Sequence, residues 1–79
     1  MDDTKHKYVR LKKYDQIIFF PQTLNHSDFN MFDLISAGYC YLDNEDNKIR
    51  CFGESLSLGI GSLEEDSELA TKQVYGYEW

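Results

Sequence analysis

Few residues in this chain are equipped for chemistry, and their spacing works against most reactions. His26, Ser27 and Asp28 are the three residue types of a hydrolytic triad, but they are consecutive. Consecutive side chains on a helix or strand point apart, so nucleophile, base and orienting carboxylate cannot line up within hydrogen-bond reach. They read better as polar residues of a helix-capping loop. Gly53, Gly59 and Gly61 fit neither phosphate-loop spacing, and no lysine follows them. Asp43, Glu45 and Asp46 lack the central glycine and distal glutamate of a calcium loop, which leaves a solvated turn. No catalytic residue, metal ligand or cofactor is expected.

Cys40 and Cys51 are the more informative pair. If Asp43 faces Lys48 across a turn, the register puts Cys40 opposite Cys51 with both side chains on one face. Two buried free thiols are the first reading. A redox-sensitive cross-strand disulfide is the second. A metal site shared with His6 or His26 is disfavoured, because the chain has no close C-x-x-C or H-x-x-x-H pair.

The elements that must position these residues follow from hydrophobic period and turn chemistry. In Tyr8–Lys12, Val9 and Leu11 fall on one face and Arg10 and Lys12 on the other, a half-buried strand over about 7–12. Lys13-Tyr14-Asp15 is a turn. The apolar run Ile17-Ile18-Phe19-Phe20 reads as a strand over about 16–20, covered on both faces and placed at the centre of the sheet. Residues 22–36 form an irregular or helical segment, with Asn25 as a cap and Phe29 and Phe32 facing the sheet. Strands over about 38–42 and 48–60 flank the turn Asp43–Asn47, the second either bent at Gly53 or restarting there, with Leu56, Leu58 and Ile60 turned to the core. Ser62 to Glu65 fits a capping box and Asp66 is an equally good start. A helix over about 65–75 then presents Leu69, Ala70, Gln73 and Val74 inward, and Gly76 ends it. The expected core includes Ile17, Ile18, Phe19, Tyr39, Leu56, Leu58 and Val74. The expected fold is α+β: a small, mainly antiparallel sheet of about four strands with a C-terminal helix on one face. Residues 1–79 form one small domain, with residues 1–6 frayed.

Charge is unevenly divided. Net charge is −6. Residues 1–13 carry five cations and two acids, a net of +3; residues 14–79 carry three cations and twelve acids, a net of −9. That balance disfavours direct binding to nucleic-acid phosphates. Glu64, Glu65, Asp66 and Glu68 form a candidate acidic surface. No apolar leader segment opens the chain and no stretch is long enough to span a membrane, so a cytoplasmic protein with reduced cysteines is expected.

His26-Ser27-Asp28-Phe29, Ser36-Ala37-Gly38-Tyr39-Cys40, Cys51-Phe52-Gly53-Glu54-Ser55 and Asp66-Ser67-Glu68-Leu69-Ala70 resemble small uncharacterised bacterial and phage proteins, over most of residues 8–76. The resemblance points to no named family and brings no activity or functional residues; it implies a phage or other mobile-element origin.

The final residues hold Tyr75, Tyr77 and Trp79, aromatic types enriched at interfaces. With the thin core of so short a chain, they suggest a non-enzymatic protein-interaction module that self-associates as a homo-oligomer through this tail and a sheet edge. Two alternatives stand beside it. One is a small acidic inhibitor of a host nucleic-acid enzyme. The other is a small-ligand binder or enzyme whose site lies at a subunit interface.

Overall fold

The computed structural model describes residues 5–76. The elements are β1 (His6–Leu11), β2 (Gln16–Pro21), a 3-10 turn (His26–Phe29), β3 (Leu34–Asp43), β4 (Lys48–Phe52), β5 (Glu54–Ser55), β6 (Ile60–Gly61) and α1 (Glu64–Tyr75). Strands one to four form one antiparallel sheet in the order β2-β1-β3-β4, and α1 packs against it; β5 and β6 make a separate two-stranded ribbon. The fold is α+β, as the sequence suggests. Among the described residues no helix is long and apolar enough to cross a membrane.

β2 lies at an edge and not at the centre. Its apolar run arises because both of its faces are covered, not because it has two strand neighbours. Ile17 joins Tyr8, Cys40 and Ala70 on the helix side, while Phe20 joins Val9 and Ala37 on the other. Phe29 of the 3-10 turn, with Leu58 and Ile60, packs on that second cluster. The sheet is therefore a middle layer, between α1 and a cover made of the short turn and the β5–β6 ribbon. Phe32 is left outside, 47% exposed.

Other sequence expectations shift for identifiable reasons. His6 already belongs to β1, so the chain is ordered into strand before residue 7; residues 1–4 lie outside the described residues. β3 begins at Leu34, inside the segment expected to be irregular. The strand reading over 48–60 divides at Gly53: β4 stops at Phe52, Gly53 takes a left-handed conformation (φ +76°) open to glycine at no steric cost, and a new strand starts at Glu54. The chain then turns back through residues 56–59. Leu56 consequently sits at a turn, 86% exposed, and is not core. Val74, also expected inside, is 51% exposed. The cap of α1 is Leu63, not Ser62: its N–H donates to Asp66 Oδ2 at 2.9 Å. Gly76 ends the helix with φ +78° as expected.

One helix serves both edges of the sheet. The Ile49 and Cys51 N–H groups of β4 donate to Thr71 Oγ1 (2.9 Å) and Ser67 Oγ (2.8 Å). On β2, Ile17 N–H donates to Gln73 Oε1 (2.9 Å), and Gln73 Nε2 donates back to the Ile17 carbonyl (2.6 Å). Edge groups left open would invite pairing with another chain. Here helix side chains occupy them at three positions.

Candidate functional site

Three places merit a functional reading: a charged cluster under α1, the cysteine pair, and two surface clefts.

The cluster centres on Asp66, the third residue of α1. The sequence places it on the acidic surface with Glu64, Glu65 and Glu68, but it is completely buried, whereas those three are exposed. Its Oδ1 accepts from Arg10 Nη1 at 2.9 Å, and its Oδ2 accepts from the Tyr8 hydroxyl and from Leu63 N–H. Arg10, read as outward from its alternation with Val9, is 6% exposed. It also bonds Asp15 (2.7 Å) and Glu65 (2.9 Å). β1 has neighbours on both sides and cover on both faces, so both side-chain sets of the strand are inside. Both carboxylate oxygens of Asp66 are engaged, and through Tyr8 and Arg10 they fix the helix N-terminus to β1. The cluster has the character of a structural joint.

Cys40 and Cys51 pair across β3 and β4, in the register that also pairs Asp43 with Lys48. Both thiols are free. Burial pushes the Cys40 thiol up to about 12 and raises Cys51 further, where the neighbouring thiol adds to the effect. A thiol that resists ionisation is a poor nucleophile and a poor metal ligand. Among the described residues no group of three or more His, Cys, Asp and Glu side chains could hold a metal ion.

The first cleft, about 520 Å³, lies on the face of the sheet away from α1, between the 3-10 turn and the start of the β5–β6 ribbon. His26, Ser27, Tyr39, Glu54, Ser55 and Lys7 contribute to its walls. His26 is 4% exposed, and its ring meets Phe20 and Tyr39 edge-on at 5.6 and 5.5 Å. Its Nε2 lies 2.8 Å from the Gly38 carbonyl, which can only accept, so Nε2 carries the proton. The consecutive His26, Ser27 and Asp28 do not assemble as a triad. Asp28 instead turns back to accept from Asn25 N–H at 3.0 Å. Sequence reasoning singled out His26 but missed its cleft, because the opposite wall comes from residues about thirty positions later, beyond the break at Gly53.

The second cleft, about 220 Å³, opens near the C-terminal end of α1, lined by His6, Phe19, Cys40, Tyr41, Leu42, Ile49 and Val74. Tyr41, Leu42 and Val74 are 41%, 38% and 51% exposed, and Tyr75 beyond them is 41% exposed. Of the three aromatic tail residues, Tyr75 lies on the last turn of α1, while Tyr77 and Trp79 lie outside the described residues.

Comparison with protein-family models, with curated proteins and with solved structures finds no match. The functional reading therefore rests on the geometry of the chain itself.

Proposed function

We propose that the chain is a non-enzymatic protein-interaction module that associates with a second copy of itself through the apolar cleft at the C-terminal end of α1. The observation that carries this reading is the character of the cleft's lining. Exposed Tyr41, Leu42 and Val74 surround it, and no acidic residue contributes to it. In a chain of net charge −6, two copies can meet there without opposing their carboxylates. An isologous contact would use the same patch on each copy, and the chain's modest size favours extra burial by association. The sheet edge has a smaller part than the sequence suggests, since α1 side chains occupy Ile17, Ile49 and Cys51.

The acidic-inhibitor reading gains less from the structure. Asp66 is withdrawn into the interior and Glu65 is bonded to Arg10, which reduces the free carboxylates at that end of α1. Val74→Asp tests the proposal at an exposed position where folding tolerates a charge. Sedimentation velocity should show the wild-type chain as a dimer or larger and the variant as a folded monomer. Association unchanged in V74D would place the contact elsewhere.

A further inference from the structure

His26 is almost entirely buried, yet only one of its nitrogens is used. Nε2–H goes to the Gly38 carbonyl, so Nδ1 is the acceptor nitrogen of the neutral tautomer, and it makes no hydrogen bond among the described residues. Among the described residues, the one sealed side-chain polar atom without a partner is Ser36 Oγ. Nδ1 is therefore not among the sealed atoms, and His26, 4% exposed, lines the cleft. The two aromatic rings edge-on to the imidazole hold it in place. An acceptor is thus presented in a fixed direction at the cleft wall.

The other walls supply complementary chemistry. Lys7 brings a cation, anchored by its Nζ donating to the Leu24 carbonyl at 2.8 Å. Glu54 brings an anion from the ribbon, and Ser27 and Ser55 bring hydroxyls. Tyr39 and Leu56 add apolar surface, and Leu56 is 86% exposed. A volume of about 520 Å³ falls within the usual range for small-molecule sites, roughly 300–1,000 Å³. One cation, one anion, an unfilled imidazole acceptor and an apolar wall fit a small zwitterion with an aliphatic side chain.

We propose that the cleft beside His26 binds a free amino acid of aliphatic type, with its ammonium group toward Glu54 and His26 Nδ1, its carboxylate toward Lys7 and its side chain against Leu56 and Tyr39. The proposal is independent of self-association, which uses the other side of the sheet. The test is an NMR titration of the full chain with L-leucine up to about 10 mM, reading the His26 ring nitrogens and the Ser27 and Ser55 amides. The expected result is a saturable shift at all three residues. 4-Methylpentanoate, which lacks the ammonium, and 3-methylbutylamine, which lacks the carboxylate, should each bind at least about tenfold more weakly. Glu54→Gln, at an exposed position that does not threaten folding, should weaken leucine by a similar factor. His26→Gln, where it folds, should abolish the response. No saturable shift with leucine, equal affinity for the three probes, or unchanged affinity in E54Q would each overturn the assignment.

Discussion

Asp66 shows how much one side chain can decide. It caps its own helix, accepts from Tyr8 and pairs with Arg10, all without access to water. Removing one partner of a buried ion pair costs about 3–5 kcal/mol, since the other charge stays buried. Asp66→Asn should fall near the lower end, because Arg10 keeps Asp15 and Glu65. Glu65→Gln, at a side chain 65% exposed, should cost under about 1 kcal/mol. Urea unfolding of both variants checks the contrast, and equal losses would contradict the assignment. Ser36→Ala should act in the opposite direction. Among the described residues Ser36 Oγ is buried with no partner, so deleting it should stabilise the fold by about 1 kcal/mol. The sign of pH dependence also follows from single residues. Burial lifts Cys40 from 9.0 to about 12, and burial, with the bond to Asp66 next, lifts Tyr8 well above 10.0. The native state thus keeps protons that the unfolded chain releases at alkaline pH. The stability this brings is complete below about pH 9 and is lost as pH rises through about 12. Unfolding free energies should decline from about pH 9 upward, and Cys40→Ala should make that decline shallower. A flat alkaline limb in the wild type would be inconsistent with these buried groups.

At the scale of elements, the main device is the use of α1 to close the sheet's two edges. Ser67, Thr71 and Gln73 each bond strand backbone that faces away from the sheet. Thr71→Val keeps the shape but leaves Ile49 N–H without its acceptor, which should cost about 1–3 kcal/mol. Hydrogen exchange should then quicken at Ile49 while the β1–β2 amides stay protected, and uniform loss of protection would argue against a local edge role. This arrangement was barely legible in the sequence. Period and turn signals located the Asp43–Asn47 hairpin, the cysteine register and the helix stop at Gly76. They could not show that Gln73, counted as part of an apolar stripe, reaches Ile17 across 56 positions. Nor could alternation place Arg10, because a strand covered on both faces has no outward set. Parity did contain a clue. Tyr8 and Arg10 share a face, so burying the tyrosine obliges the arginine to find a buried partner.

At the scale of the molecule, the order β2-β1-β3-β4 explains why the most apolar run is not central: helix and turn cover an edge strand as fully as neighbours would. The same layering separates two of the surface clefts, a mixed polar and apolar one beside His26 and an apolar one beside Val74. Candidate residues chosen from sequence were divided by this layering. Tyr75 stays near the apolar cleft, Asp66 is removed to the interior, and Glu64, Glu65 and Glu68 stay exposed. The central functional claim is that the apolar cleft joins two copies of the chain. Light scattering of the wild-type protein at about 0.1 mM, a concentration well above a micromolar dissociation constant, measures it most directly. The account predicts the mass of a dimer or larger for the wild type and of a monomer for Val74→Asp. A clean monomer mass for the wild type would contradict it.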